Sequence, residues 1–173
     1  MRTERAEANW KLQPISVHDR EPVLRIFNYY VEESFAAYPA DRVSDSFFDA
    51  LMEKAEGYPT VAAKDEGGTI LGFGLLRAHN PIPSFSHTAE ITYFVRPEQT
   101  SRGIGSLMLE YLLEEAKKKG ISSILASISS LNEGSVRFHK KHGFVECGRF
   151  RQVGNSSFAP SKRRRFTECL VYN

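Results

Sequence analysis

The stretch Glu90-Ile91-Thr92-Tyr93-Phe94-Val95-Arg96-Pro97, with the turn 98–102 and the run Gly103-Ile104-Gly105-Ser106 after it, decides the organisation of this chain. The residues from Ile91 to Val95 are β-branched or aromatic, as strands prefer. Pro97 ends the strand because proline has no N–H for a sheet ladder. From Ile104 onward, apolar residues recur at steps of three and four, which predicts a helix that Gly120 closes.

The start of this helix is suited to bind an anion. The first N–H groups of a helix have no partner inside it, and the helix dipole adds to their attraction for negative charge. Gly103 and Gly105 lack Cβ atoms, so a phosphate can approach the backbone, while Arg102 adds a positive charge and Ser106 a hydroxyl. A tightly packed glycine turn is the alternative, but the preceding strand and the long helix favour a diphosphate cradle.

The pattern narrows the kind of diphosphate. A Rossmann dinucleotide site has a third glycine and an acidic residue about 20 positions further on. The third glycine is missing here, and the region from Ser122 to Ser127 offers no carboxylate. A P-loop has Gly-Lys-Ser/Thr after its glycines, which is also missing. Coenzyme A is the remaining common choice.

These motifs resemble those of the GNAT superfamily of N-acetyltransferases. The frame from Thr100 to Gly105 is similar to its acetyl-CoA motif, Gln/Arg-x-x-Gly-x-Gly/Ala, with Thr100 in the first position. The segment from Asn132 to Phe144 resembles its Asn-x-x-Ala/Ser-x-x-Leu-Tyr/His-x-x-x-Gly-Phe signature. The run from Ser86 to Val95 is similar to one branch, the phosphinothricin acetyltransferases and related amino-acid N-acyltransferases. The resemblance covers roughly Trp10 to Val153.

The resemblance implies a fold and a co-substrate. We expect one α/β domain over residues 1–173, with a central mixed, mostly antiparallel twisted sheet flanked by helices on both faces, and with residues 1–9 disordered. We expect direct transfer of acetyl from acetyl-CoA to a primary amine. The residues expected to bind the coenzyme are Phe94, Val95, Ser101, Arg102, Gly103, Ile104, Gly105, Ser106, Asn132 and Lys141.

Within that set the resemblance implies separate tasks. Backbone groups of Phe94 and Val95 would bind the pantetheine arm, and the side chain of Asn132 would hydrogen-bond to it. The N–H of Val95 would stabilise the oxyanion that forms on the acetyl group. The segment from Ser101 to Ser106 would hold the diphosphate.

Two residues are candidates for acid–base catalysis. Glu90 matches a catalytic glutamate of the phosphinothricin branch and would remove the proton of the acceptor ammonium group. Its alternative is a strand-end carboxylate paired with a cation. His139 takes the place of the tyrosine that protonates the leaving thiolate in many members, and its alternative is a helix histidine facing solvent. His87 and His142 are interpreted as structural or exposed.

Three residues are candidates for the acceptor site. Phe35 and Tyr38 interrupt the helical pattern where the resembled fold has a loop over the acceptor pocket, and the alternative is an apolar plug between helices. Arg77, at the end of a predicted strand, is the third. The branch implies a small amino acid or an analogue, of the phosphinothricin or methionine-derivative type. A peptide, protein or polyamine acetyltransferase and a non-catalytic coenzyme A-binding regulator are the alternatives.

Composition agrees with one soluble domain. The 173 residues are 41% hydrophobic and 25% charged, and a formal net charge of +2 is too small to indicate nucleic acid as a partner. We see no membrane span, no signal peptide and no metal-ligand pattern, so we expect a cytoplasmic protein that needs no metal. Cys147 and Cys169 are expected to be reduced thiols. Many relatives dimerise, so a homodimer is expected.

The remaining elements follow from periodicity and capping. Strands are predicted at Trp10–Val17, 60–64, 70–77, 121–127, 144–153 and 166–172. Helices are predicted after Asp19 and Ser44, and a capping box of Ser130 and Glu133 predicts another that ends near His142. The basic run from Lys162 to Arg165 has four interpretations: a contact to the adenosine phosphate of coenzyme A, to an acidic acceptor or to nucleic acid, or a solvated sheet edge.

Overall fold

A computed structural model describes residues 10–156 and 165–172 of the chain. Its strands are β1 (Lys11–Gln13), β2 (Thr60–Lys64), β3 (Ile70–Ala78), β4 (Thr88–Val95), β5 (Ser123–Ser129), β6 (Glu146–Ser156) and β7 (Arg165–Tyr172). Its α-helices are α1 (Arg20–Glu33), α2 (Asp45–Lys54), α3 (Ile104–Lys118) and α4 (Glu133–Lys141). Single turns of 3-10 helix lie at Val17–Asp19, Pro83–Phe85 and Pro97–Gln99.

The strands form one sheet in the order β1-β2-β3-β4-β5-β7-β6. Neighbouring strands are antiparallel except β4 and β5, which run parallel. A parallel pair needs a crossover connection, and α3 supplies it between β4 and β5. The predicted α/β fold with a mixed, mostly antiparallel sheet is confirmed.

Two apolar layers cover the two faces of the sheet. Successive side chains of a strand point to opposite faces, so Phe73 and Phe94 pack with α1 and α2, while Leu76 and Ile91 pack with α3. The fully buried side chains of α3 that fill the second layer are Ile104, Met108, Leu109 and Leu112. Helices therefore flank both faces, as predicted.

The first strand and the first helix cap differ from the prediction. β1 ends at Gln13 rather than Val17, and Val17 is instead the first residue of a 3-10 helix. Asp19 precedes α1 as predicted, but its carboxylate accepts the N–H of Ser16 at 2.8 Å and pairs with Lys64 at 2.7 Å instead of capping α1. These contacts lower the pKa of Asp19, although its burial acts in the opposite direction.

Some predictions fall outside the described residues. Residues 1–9 and most of the basic run, Lys162 to Arg164, belong to this part, and Arg165 is described only as the first residue of β7. Within the described ranges, no helix is long and apolar enough to cross a membrane, and no three His, Cys, Asp or Glu side chains are grouped to hold a metal ion.

Helix α3 lies close to β3 at two glycines. A Cβ atom at Gly72 would lie 2.9 Å from the carbonyl oxygen of Phe94 and 3.0 Å from Cε of Met108. A Cβ atom at Gly74 would lie 2.8 Å from Cβ of Tyr93. Non-bonded carbon atoms prefer about 3.5–4.0 Å, so neither position has room for a methyl group without a shift of its neighbours.

Gly72→Ala is therefore expected to lower the free energy of unfolding by about 1–3 kcal/mol, because the added methyl group overpacks the space below α3. Gly148→Ala on β6 is the matched control, since nothing lies within 4 Å of a Cβ atom there. Its free energy of unfolding is expected to change by less than about 0.5 kcal/mol. Denaturant titration measures both values, and equal stability of the two variants would contradict the packing argument.

Candidate active site

The parallel pair of β4 and β5 is short. Its register joins Thr88–Glu90 to Ser123–Leu125, three residues on each strand, whereas β3 stays paired with β4 as far as Val95. Strands β4 and β5 therefore part after Glu90. We call the space between residues 91–95 of β4 and residues 126–129 of β5 the β4–β5 gap.

The hydrogen-bonding phase of β4 directs backbone groups into this gap. The N–H of Arg96 donates to the carbonyl of Leu71 at 2.7 Å, and the N–H of His79 donates to the carbonyl of Thr88 at 3.4 Å. Both bonds show that the even-numbered residues of β4 face β3. Because the bonding direction alternates along an antiparallel strand, the odd-numbered residues turn their N–H and C=O groups toward β5: Ile91, Tyr93 and Val95.

One of these backbone groups already has a partner from α1. The hydroxyl of Tyr30 donates to the carbonyl oxygen of Val95 at 2.6 Å. Burial raises the pKa of Tyr30 to about 12, so the hydroxyl keeps its proton and remains a donor. The carbonyl of Val95 is thereby fixed, and its N–H is directed toward the β4–β5 gap.

Phe94 was predicted to bind a pantetheine arm through its backbone, which does not fit the hydrogen-bonding direction of β4. Phe94 is paired with Phe73 of β3, so its N–H and C=O face away from the gap. Its ring is buried and packs against Phe27 and Tyr30. Tyr93 has the backbone direction that was expected of Phe94.

A cleft of about 1380 Å³ follows the gap and continues to the start of α3. The predicted site residues that line it are Tyr38, Arg77, Glu90, Phe94, Val95, Ser101, Arg102, Gly103, Gly105, Ser106, Asn132, His139 and Lys141. Two predicted residues are not among its lining. The side chain of Ile104 is in the core, with the residue only 1% exposed. Its backbone N–H is therefore the group that can bind a ligand in the cleft. Phe35 does not line the cleft, whereas its neighbours Ala36 and Ala37 do.

The start of α3 has the unpartnered backbone N–H groups on which the predicted cradle depends. Gly103 is the N-cap with φ of 95°, and no side chain caps the helix. The first helical bond runs from the N–H of Leu107 to the carbonyl of Gly103, so the N–H groups of residues 104–106 have no intrahelical acceptor. Ser101 also adopts a left-handed conformation, with φ of 62°. Arg102 keeps its guanidinium beside the turn by donating to Gln99 at 2.6 Å.

Helix α4 is tied to this cradle through His142. Nδ1 of His142 donates to the carbonyl of Phe138 at 2.8 Å, which makes Nε2 the acceptor for the hydroxyl of Ser106 at 3.0 Å. The ring of Phe138 lies 3.5 Å from where a Cβ of Gly105 would stand. His142, which the sequence indicated as structural or exposed, is thus a partly buried link between the two helices that border the cleft.

Asn132 has a structural task that the sequence did not predict. It is the N-cap of α4, and its side-chain oxygen accepts the N–H of Ser135 at 3.1 Å. The predicted capping box of Ser130 and Glu133 is therefore wrong. Asparagine and serine are both good N-caps, and the sequence alone did not decide between them. The side-chain N–H groups of Asn132 remain suited to donate into the cleft that it lines.

Glu90 lies in a charged network on the face of the sheet that carries α1 and α2. One carboxylate oxygen accepts from Arg77 at 2.6 Å and the other contacts Nδ1 of His79 at 3.0 Å. Arg77 also donates to the hydroxyl of Thr92 at 2.7 Å. The side chain of Glu90 is 24% exposed. The structure thus shows the cation pairing that was the alternative to catalysis, and it places the same carboxylate on the cleft wall.

His139 is buried and hydrogen-bonded through both ring nitrogens. Nδ1 donates to the carbonyl of Ser135 at 2.8 Å, and Nε2 accepts from the hydroxyl of Tyr93 at 2.8 Å. Burial lowers the pKa of His139 and raises that of Tyr93. Both shifts favour the neutral forms, so the proton between the two rings belongs to Tyr93. The solvent-facing alternative for His139 is excluded, since its residue exposure is 3%.

The two groups lie on opposite faces of the sheet. Side chains two residues apart on a strand point to the same face. Glu90 and Thr92 therefore face the α1–α2 side, as Phe94 does, whereas Tyr93 faces the α3 side, as Ile91 does. The β4–β5 gap connects the faces, because β5 is absent beside residues 91–95. Sequence reasoning missed Tyr93 as a site residue: it precedes His139 by 46 positions, and no local spacing joins them.

Comparisons with known proteins agree with this geometry. A model of the acetyltransferase (GNAT) family matches residues 23–144. An L-methionine sulfoximine/L-methionine sulfone acetyltransferase of Pseudomonas paraeruginosa is 31% identical over 147 residues, which cover 83% of this chain and 84% of that protein.

Two solved structures share the fold. A ribosomal-protein-alanine N-acetyltransferase from Brucella melitensis superposes with a TM-score of 0.84 at 26% identity, covering 94% of this chain and 97% of the other. A phosphinothricin acetyltransferase from Sinorhizobium meliloti, solved in complex with acetyl-CoA, superposes with a TM-score of 0.85 at 21% identity, covering 95% and 86%.

The burial of His139 predicts a pH dependence of stability. Because its pKa is lowered from the ordinary 6.5 in the folded protein, the unfolded chain binds more protons in the range below 6.5. The stability contributed by neutral His139 is present above that pH and is lost as the pH falls toward its folded pKa. Between about pH 7.5 and pH 5.5, the free energy of unfolding is expected to fall less in His139→Gln than in the wild type. His87→Gln, at an exposed position, is the control, and an unchanged slope in His139→Gln would refute the assignment.

Proposed function

Since the chain belongs to the acetyltransferase (GNAT) family, we propose that it transfers the acetyl group of acetyl-CoA to the primary amine of a small amino acid or a close analogue. One observation carries the proposal: a single cleft joins the anion cradle of α3, the β4–β5 gap and the carboxylate of Glu90. A diphosphate, an extended amide-bearing arm and an amine would find matching groups along this path.

The cleft residues fit coenzyme A. The N–H groups at residues 104–106, with Ser101, Arg102 and Ser106, are suited to the diphosphate. Backbone groups of Tyr93 and Val95 and the amide of Asn132 are suited to the amides of the pantetheine arm, which would complete the ladder that β5 leaves unmade. Lys141 lines the same cleft and adds a positive charge. When bound, acetyl-CoA supplies an activated thioester carbonyl.

In this proposal, Glu90 promotes the loss of a proton from the ammonium group of the acceptor. An amine enters as an ammonium ion and must lose a proton before it can act as a nucleophile. The Glu90 carboxylate faces the cleft, where it attracts the ammonium group. Arg77 fixes the orientation of this carboxylate through a charge-assisted hydrogen bond.

Tyr93 and His139 hold a proton on the other side of the gap. We assign to His139 the task of orienting the Tyr93 hydroxyl, because its buried ring is neutral and accepts from that hydroxyl. The expectation that His139 itself is the acid would need a protonated imidazole, which burial opposes. Burial equally opposes the phenolate that Tyr93 would become if it gave up its proton, so in this proposal Tyr93 keeps its proton and the coenzyme leaves as a thiolate.

The acceptor side of the cleft favours a compact, anionic amine. Two of the five N–H donors of Arg77 bind Glu90 and Thr92. The other donors remain for the carboxylate of an acceptor. Tyr38 overhangs the cleft, and its hydroxyl contacts the carbonyl of Ser127 across the gap at 3.5 Å. The similar acetyltransferase acts on methionine sulfoximine and sulfone, which are amino-acid analogues of this kind.

The cellular location and the oligomeric state of the enzyme are a separate part of the proposal. We propose a cytoplasmic protein and a homodimer. Val145 and Phe150 are 68% and 57% exposed, and the second of them lies on β6, the edge strand of the sheet. They are among the exposed apolar side chains of the described residues that a second copy would cover.

The acceptor class is tested by measuring thiol release from acetyl-CoA over a panel of amines. Methionine sulfoximine, methionine sulfone and phosphinothricin are expected to react at least tenfold more efficiently, as kcat/KM, than polyamines, because Arg77 pairs with a carboxylate that polyamines lack. Short peptides form the third group of the panel, since one structural neighbour is a ribosomal-protein-alanine N-acetyltransferase. A preference for peptides would keep the acetyltransferase and refute the small-molecule acceptor.

Replacement of Glu90 by glutamine is expected to lower kcat/KM for the acceptor by about 10²–10⁴, the range for lost acid–base assistance. The dissociation constant of acetyl-CoA, measured by calorimetry, is expected to stay within twofold, because the cradle and the gap are unchanged. Glu53→Gln, an exposed exchange on α2, is the matched control. Full turnover in Glu90→Gln would remove Glu90 from the mechanism.

A further inference from the structure

The contacts of Glu90 point to a neighbour that the proposed mechanism has not used. Both of its carboxylate oxygens already accept hydrogen bonds, one from Arg77 and one from His79. An incoming ammonium group must therefore compete with these donors for Glu90. His79 offers a second acceptor beside it, because an imidazole whose Nδ1 donates to a carboxylate carries a lone pair on Nε2.

The register of the sheet explains why these side chains meet. Arg77 lies directly opposite Glu90 on β3 and β4, and His79 follows Arg77 by two residues, so it points to the same face. Its ring reaches Glu90 diagonally across the two strands, with Nδ1 and Oε1 3.0 Å apart. The ring of Phe85, from the 3-10 turn after β3, lies at its other side with ring centroids 6.4 Å apart.

His79 lies at the solvent end of the network, beside Glu90 but not among the residues that line the cleft. Its side chain is 36% exposed, against 24% for Glu90 and 30% for Arg77. Among the residues that the structure describes, Nε2 of His79 has no hydrogen-bond partner. The ionisable group that contacts the ring is Glu90 from β4, and Arg77 from β3 contacts Glu90 in turn. The imidazole is thus anchored at one nitrogen and open to solvent at the other.

We propose that His79 is the base that deprotonates the acceptor amine, and that Glu90 positions it as the carboxylate of a carboxylate–imidazole dyad. The dyad rests on the proposed acetyltransferase function and specifies which atom takes the proton. Glu90 accepts the Nδ1 proton and so fixes the tautomer in which Nε2 is basic, the same division of labour as in a His–Asp pair of a hydrolase.

The proton balance of this step is complete without another reactant. The N–H bond of the acceptor ammonium breaks across one water molecule, because His79 lies beside the cleft lining rather than in it; a proton adds to Nε2 of His79 while the electron pair stays on the amine. The resulting imidazolium is stabilised by the adjacent Glu90 carboxylate. The imidazolium then loses its Nε2 proton to bulk water, which its exposure permits, and the resting dyad of carboxylate and neutral imidazole is restored.

His79→Asn tests the proposal, because the asparagine amide can still donate to Glu90 from the position of Nδ1 but carries no base at the position of Nε2. We expect kcat/KM for the acceptor to fall at least tenfold, with the dissociation constant of acetyl-CoA unchanged within twofold. We also expect the acid-side inflection of the wild-type pH–rate profile to disappear. Added imidazole in the buffer should restore part of the lost rate.

The matched control is His87→Asn, which changes an exposed histidine in the same loop region. A purely structural role of His79 predicts that His79→Asn keeps the wild-type rate and the acid-side inflection, and this result would overturn the proposal. An active wild type with that outcome would leave the acetyltransferase function intact. A wild type that releases no thiol with any amine, although acetyl-CoA raises its Tm, would instead refute the proposed function itself.

Discussion

The parting of β4 and β5 is the constraint on which the site depends. A sheet that opens in its interior leaves backbone N–H and C=O groups without their ladder partners, and a buried group left unsatisfied costs about 1–3 kcal/mol. The fold compensates one of them with the hydroxyl of Tyr30, which holds the carbonyl of Val95. The others face the cleft. The gap is therefore a place where the fold keeps hydrogen-bonding capacity for a ligand with amide groups.

Keeping the gap open requires that the elements around it cannot close it. Helix α3 is packed tightly on β3 because Gly72 and Gly74 bring the two backbones together. The start of α3 is joined to the end of α4 through Ser106 and His142. On the far side, β5 is held by its antiparallel pairing to β7 from Ala126 to Ser129. The cradle, the gap and α4 therefore keep fixed positions relative to one another, which is the preorganisation that coenzyme binding needs.

Sequence reasoning found the parts of the site that are local in the chain. The strand, the turn and the glycine-rich helix start are continuous in the chain, from residue 90 to residue 106, so periodicity and the special conformations of glycine were sufficient. The same strand also gave Glu90, at its beginning. What the sequence did not give depends on register and phase. Phe94 rather than Tyr93 was expected to face the coenzyme, because one strand of unknown pairing does not say which residues bond to which neighbour.

The side-chain pairs of the candidate site could not be predicted from the sequence for the same reason. Tyr93 and His139 meet only because α4 returns to the gap, and His79 meets Glu90 only in the observed β3–β4 register. Phe35 and Tyr38 are close in the chain, yet only Tyr38 lines the cleft, because the loop that carries them has no period from which to read a direction.

The two hydrogen-bonded pairs of the candidate site differ in their surroundings. Glu90 and His79 are partly solvated and joined to a guanidinium, so a charge that forms there is stabilised and its proton can leave to water. His139 is buried and Tyr93 is partly buried, and both pKa shifts keep them neutral. The sheet separates the pairs, and the gap is the passage between them. In the proposed mechanism, the proton taken from the acceptor is therefore handled by the solvated pair, whereas the buried pair keeps its proton.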